Sequence, residues 1–217
     1  MICLTDNDVL LKLASWNLLE ETVEVLETTR EEIFVLPTAK YIIKNDRHGK
    51  LVARYGPEGI SRALDFINSV QTITQGSDPD EQAAMIAVKG IDEGEELLFS
   101  ATKDEDAFLV ATGDKNSLRA LSDAPTCAAI YDRLCGRVIC LEQIVARLVP
   151  YVGFENARSR IVPFRECDTG MKSTFGSGHL AEETTVQRSL AIRINELHSQ
   201  VGSLLVPNND WINQVQW

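Results

Sequence analysis

The sequence predicts an α/β fold of three α/β/α layers around a central, mostly parallel sheet, followed by a C-terminal helical extension. Three observations carry that expectation. Short apolar runs of strand character alternate with helix-patterned segments from Ile2 to about Val152, and such alternation builds parallel sheets with helices on both faces. Two of these runs, Ile2-Cys3-Leu4-Thr5 and Phe108-Leu109-Val110-Ala111-Thr112-Gly113, end directly in Asp6 and Asp114. Ligands of open α/β sheets bind outside the carboxyl ends of the strands, so both aspartates are expected at one edge. From Gly153 the alternation stops, which divides the chain into an α/β domain over 1–152 and an extension over 153–217.

Taken in order, Val9 to Leu19 has Val9, Leu10, Leu13, Ala14 and Leu18 at helical spacing behind a cap at Asp6 or Asn7. Glu20 to Glu27 reads as a second helix with an acidic outer face. Ile33 to Leu36 is a short buried strand stopped by Pro37, after which Thr38 caps a helix to about Lys44 and Asn45 to Lys50 forms a turn. Gly59 to Val70 sets Ile60, Ala63, Leu64, Ile67 and Val70 on one helical face. Asp78-Pro79-Asp80-Glu81 starts a helix through Val88, and Gly90 to Glu96 opens another that reaches Ala101. Ser117 to Leu121 and Thr126 to Leu134 are short helices, Gly136 to Leu141 is a further strand, and Leu141 to Tyr151 is helical.

Beyond Gly153, Pro163 to His179 shows no period and is expected to be a long loop. Its Phe175-Gly176-Ser177-Gly178-His179 lacks the lysine and preceding strand of a phosphate cradle. Ala181 to Val201 carries Val186, Leu190, Ile194, Leu197 and Val201 as the stripe of an amphipathic helix. The tail, Leu204 to Pro207 and Trp211 to Trp217, is apolar and is expected to dock on the body or on a partner.

Composition narrows the function classes. With 217 residues, 44% apolar and 24% charged, the chain has the make-up of a globular domain with a sizeable core. No run approaches the roughly 18 consecutive apolar residues of a membrane span. Asp6 and Asp8 interrupt any signal-peptide pattern, so a cytoplasmic protein with no membrane partner is expected. The five cysteines show no paired spacing, which argues against a zinc ribbon or a redox motif, and the three histidines, His48, His179 and His198, are scattered. Any metal must therefore be held by oxygen. The net charge of −11 is localised, with 12 Lys+Arg against 23 Asp+Glu through Asp123 and 9 against 9 beyond it. Most of these acids belong to a solvated surface, but clustered carboxylates repel one another and a divalent ion relieves that cost.

Three groups of acids are placed to converge: Asp6 with Asp8, Asp114, and the run Asp92-Glu93-Gly94-Glu95-Glu96, in which Asp92, Glu95 and Glu96 share a helical face. In sequence these groups read Leu4-Thr5-Asp6-Asn7-Asp8-Val9-Leu10-Leu11, then Gly94-Glu95-Glu96-Leu97-Leu98-Phe99-Ser100-Ala101, then Phe108 to Thr112 followed by Gly113-Asp114-Lys115. Together they resemble the PIN domain family of metal-dependent ribonucleases. There a first strand ends in an aspartate, a helix begins with a Gly-Glu or Ala-Asp pair, and a later strand ends in Thr-x-Asp. Asp114 follows Glu95 by nineteen residues, which fits the family's spacing, and the resemblance covers roughly residues 1–145.

The resemblance implies a PIN-like fold with Asp6, Glu95 and Asp114 as catalytic, metal-facing carboxylates. Asp8, Asp92, Thr112 and Lys115 are supporting candidates, Lys115 on phosphate and Thr112 by orienting a carboxylate. Mg2+ or Mn2+ suits oxygen-only ligands, and the implied activity is hydrolysis of phosphodiester bonds, in RNA or another single-stranded nucleic acid, as a toxin or defence effector. One departure divides the expectation. Where the family carries a further acid, the helix reads Pro37-Thr38-Ala39-Lys40-Tyr41-Ile42-Ile43-Lys44, so either Asp92, Glu93 or Asp46 substitutes or the site is degenerate. In the second case the chain is a PIN-like binding module, engaging a protein through its C-terminal extension or a nucleic acid. A homo-oligomer is a further expected partner.

Overall fold

The computed structural model describes residues 1–74 and 78–207. Its first strand, Ile2–Thr5 (β1), runs into helix Asn7–Ser15 (α1), which the Asp6 side chain caps by accepting from Asp8 N. The helix expected to reach Leu19 stops sooner. Asn17 adopts a left-handed φ of 56°, and Leu18 N donates to Leu13 O at 2.9 Å, a turn that asparagine tolerates better than most residues and that closes α1. A separate helix, Leu19–Val25 (α2), follows. Then come Ile33–Val35 (β2), Ala39–Lys44 (α3), Lys50–Tyr55 (α4), Pro57–Ile67 (α5) and the short strand Gln71–Thr72 (β3). Both α4 and β3 are absent from the sequence expectation.

The next stretch holds Pro79–Ile86 (α6), Glu93–Ser100 (α7), Phe108–Thr112 (β4), Lys115–Asp123 (α8), Ala128–Leu134 (α9), Val138–Cys140 (β5) and Leu141–Val152 (α10). The strands form one five-stranded sheet in the order β3-β2-β1-β4-β5, and every pairing is parallel. Alternate residues of the central strands enter two hydrophobic clusters. Cys3, Leu109, Ala111 and Ile139 face the cluster built with α1, α2, α5 and α10, while Leu4, Val110, Val138 and Cys140 face the one built with α7, α8 and α9. Apolar residues thus cover both faces, an arrangement consistent with three α/β/α layers.

The segment expected as a loop between Pro163 and His179 is instead a series of short helical turns. Phe154–Ile161 (α11) leads through a turn at Val162–Cys167 into Thr169–Thr174 (α12), which Asp168 caps by accepting from Met171 N at 2.8 Å. The period is present but sparse: Cys167, Met171 and Phe175, four residues apart, are all buried in the first cluster. Helix Glu183–Val201 (α13) follows, as its stripe predicts. Val186 and Leu190 enter the first cluster, and Ile194, Leu197 and Val201 the second. Leu204 and Leu205 are buried, and Leu205 bridges Val138 in parallel at the open edge of β5. This part of the apolar tail docks on the body; Trp211 to Trp217 lie outside the described residues.

Among the described residues no helix is long and apolar enough to cross a membrane. The five cysteines are free, and four of them, Cys3, Cys127, Cys140 and Cys167, are buried.

Candidate functional site

Adjacent parallel strands present their carboxyl ends on the same edge of a sheet, and β1 and β4 are adjacent, with Thr5 level with Ala111. Asp6 N extends the pairing by donating to Ala111 O at 3.0 Å. The Asp6 carboxylate then accepts from Asp8 N at 3.2 Å and from Gly113 N at 3.4 Å, tying the two strand ends together. Asp114 caps α8 through one oxygen, Oδ1, which accepts from Asn116 N at 2.7 Å and Ser117 N at 3.0 Å. Thr112 is buried, and its hydroxyl accepts from Asp114 N at 3.1 Å, so it orients the backbone of Asp114 and does not line the cleft.

Asp92 and Glu95 form a reciprocal cap at the start of α7. Asp92 Oδ1 accepts from Gly94 N and Glu95 N at 2.8 and 3.0 Å, and Glu95 Oε2 accepts from Asp92 N at 3.1 Å. Glu96, expected on the same face, is buried and is not part of the cleft lining.

Asp6, Asp8, Asp92, Glu95, Asp114 and Lys115 all line a single cleft of about 700 Å³. Burial is the main cause that lifts the Asp6 carboxyl from 3.8 to about 6, with repulsion from Asp8 adding to it. Burial likewise lifts Glu95 to about 8, helped by its hydrogen bond to Asp92 and by the nearby charges of Asp92 and Asp114. Asp92 moves the other way, its ionised form held by the hydrogen bond with Glu95. Glu95 is therefore poised to hold a proton at neutral pH, while Asp6, titrating below neutrality, is mostly ionised there.

The structure adds residues that the sequence pattern does not single out. Lys12 is 4% exposed, and its ammonium donates to Asp8 and to Asp168 Oδ2, the latter at 2.7 Å. Burial opposes its charge, but the two carboxylates outweigh burial and raise its pKa above the ordinary lysine value. Asp168 is correspondingly lowered: burial pushes it up, and the Lys12 charge more than offsets that. The buried Tyr55 donates to Asp8 Oδ1 at 3.1 Å, and burial together with that carboxylate raises the phenol's pKa. Arg54 donates to Cys167 O at 2.6 Å and stands 3.8 Å from Asp8. Lys115 donates to Glu142, whose Oε2 is buried without a partner in the described structure. With Arg119, four cations face the cleft.

One signal for Lys12 was legible: it follows Asp8 by four residues on a helix, the spacing of an ion pair. Lys40 and Lys44, which stand where the expected acid is missing, are exposed and line neither the cleft nor the groove beside it. Asp46 caps the start of α4, accepting from Lys50 N and Leu51 N at 2.8 Å, and is likewise outside the lining. Among the described residues, no three His, Cys, Asp or Glu side chains are close enough as they stand to hold a metal ion. No family model, curated protein or solved structure matches the chain.

Proposed function

We propose that the chain is a PIN-like, divalent-metal-dependent nuclease that hydrolyses phosphodiester bonds in RNA. One observation carries the reading: two adjacent parallel strand ends and a helix start deliver Asp6, Asp114 and Glu95 to one cleft lined also by cations. The donor chemistry suits Mg2+ or Mn2+, being oxygen only, with Asp6 and Glu95 raised by burial and like-charge neighbours that a cation would relieve. A bound ion would polarise the phosphodiester and lower the pKa of an attacking water.

The chain's own residues do the rest. Asp6, Glu95 and Asp114 would hold the ion; the Asp92 backbone N–H holds the Glu95 carboxylate, and the Thr112 hydroxyl holds the backbone of Asp114. Glu95 would have to give up its proton to hold a cation, so uptake would strengthen as pH rises. Lys115, Arg119 and Arg54 supply the positive rim for phosphate. Lys12 pairs with Asp8 and Asp168 and offsets part of the repulsion that Asp8 exerts on Asp6.

A second reading, a degenerate PIN-like module that binds a protein or nucleic acid, is favoured by one observation: the carboxylates share the cleft without closing to ligand distance. Cleavage of labelled single-stranded RNA with Mg2+ or Mn2+ separates the two. The nuclease reading requires metal-dependent cleavage that both Asp6→Asn and Asp114→Asn abolish. Absence of cleavage on single-stranded and structured substrates, with no thermal shift from either ion, overturns it.

A further inference from the structure

We propose that a groove beside the acidic cleft is a subsite for one unpaired base of the RNA, with Tyr41 as its stacking face. The inference rests on the nuclease reading for its substrate class. The groove, of about 650 Å³, shares Asp6, Asn7, Asp92 and Glu95 with the cleft. These residues therefore form the divide between two hollows of different chemistry. On one side stand Lys12, Arg54, Lys115 and Arg119 among the acids of the cleft, Asp8, Asp114, Glu166 and Asp168. On the other stand Leu36, Tyr41, Ile42 and Leu97, with Thr38 and the carboxylate of Glu93 beside them.

Tyr41 and Ile42 are among the large apolar side chains left in solvent, at 67% and 41% exposure. Both project from α3, which Lys40 ties to the end of α5 by donating to Asn68 Oδ1 at 2.6 Å. A nucleotide has the matching pair of chemistries, an anionic phosphate and a flat apolar base joined through a ribose. With its phosphodiester at the acids, its charge meets the cationic rim and its base reaches the aromatic groove. An apolar protein side chain would fill the groove but bring no anion to Arg119, whose guanidinium donates to the neutral Gln200 and Asn116. A duplex cannot offer a free base face, so the occupant is single-stranded. The volume lies within the range of small-ligand sites and suits a single base and its sugar.

The test measures anisotropy of a fluorescent single-stranded RNA, and of the same strand made abasic, in an Asp6→Asn background that keeps the strand intact. Tyr41→Ala weakens binding of the base-bearing strand by about 5- to 150-fold, the loss of ~1 to 3 kcal/mol expected for one stacked base. Tyr41→Phe retains binding, and the abasic strand binds the parent and Tyr41→Ala alike. Equal binding of the base-bearing strand by parent and Tyr41→Ala overturns the subsite, as does an equal loss on the abasic strand or no binding by the parent. A change of oligomeric state in Tyr41→Ala, with RNA binding untouched, assigns the groove to a second copy of the chain and also overturns it. The hydrolytic reading fails separately: base-dependent binding through Tyr41 without cleavage by the unsubstituted protein removes the nuclease and leaves the subsite standing.

Discussion

The ammonium of Lys12 donates to the carboxylate of Asp168 at 2.7 Å, across 156 positions of sequence. The same nitrogen also donates to Asp8, one helical turn before it. A single buried cation thus joins the first helix to the C-terminal segment at the wall of the acidic cleft. Removing it strands two carboxylates, one of them, Asp168, with a side chain only 14% exposed.

Lys12→Met is expected to destabilise the protein by about 3 kcal/mol, because breaking a buried pair leaves a charge without compensation. Adding Asp168→Asn to Lys12→Met recovers part of that loss. Denaturant unfolding of the two single variants and the double variant measures the coupling; additive effects would show that the pair contributes nothing.

The acids set a pH dependence whose sign follows from their direction. Folding raises Asp6 from 3.8 to about 6, so the folded state binds the proton more tightly and stability falls as pH rises through that window. Glu95, raised from 4.5 to about 8, extends the fall to higher pH. Asp6→Asn and Glu95→Gln are therefore expected to gain thermal stability relative to the parent at pH 9 over what they show at pH 5, in buffer free of divalent ions. Parallel melting curves across that range would remove the electrostatic argument.

Under the proposed function, Mn2+ should reverse that loss. At 100 times its dissociation constant an ion that binds only the folded state adds about 2.7 kcal/mol. A rise in melting temperature is expected for the parent at pH 8, with a smaller one for Asp114→Asn. Differential scanning calorimetry over an ion titration reads it directly.

Phe175, fully buried in the first hydrophobic cluster, comes from the segment that looked like a loop. Phe175→Ala should cost about 3 to 5 kcal/mol. A loss below about 1 kcal/mol in chemical denaturation would mean that the helical turns around it contribute little to the fold.

Gly202 ends α13 with φ of 61° and ψ of −128°, a region reserved for glycine, and a Cβ there would overlap the Tyr131 hydroxyl. That hydroxyl donates to Val201 O at 3.2 Å and accepts from Ser203 N at 3.1 Å. Gly202→Ala is expected to destabilise by about 2 kcal/mol, with Gly202→Ala/Tyr131→Phe changing the backbone strain little. Thermal melts of both variants check it.

Much of the site was legible because its parts are local. Asp6 and Asp114 follow apolar runs and precede helical periods, the pattern of a capped helix after a strand, and each does cap its helix. Asp92 and Glu95 stand at capping-box spacing and do cap each other. The missing pieces had weaker local signals. The short strand β3 is two exposed polar residues held by backbone pairing to β2, so no apolar alternation marks it. Cys167, Met171 and Phe175 carry a helical period too sparse to read among glycines and polar residues.

By itself, then, the sequence determined that two apolar strand runs lead into Asp6 and Asp114, that helical periods follow them, and that a parallel sheet would carry those ends, since each depends on neighbours a few residues apart. Tertiary structure alone decided which charges share the cleft. Lys12 lies between Leu11 and Leu13, and only folding shows it buried against Asp168, the cap of α12. The upward shifts of Asp6 and Glu95 have the same origin, because desolvation and Coulomb repulsion depend on distance in space and not on position in the chain.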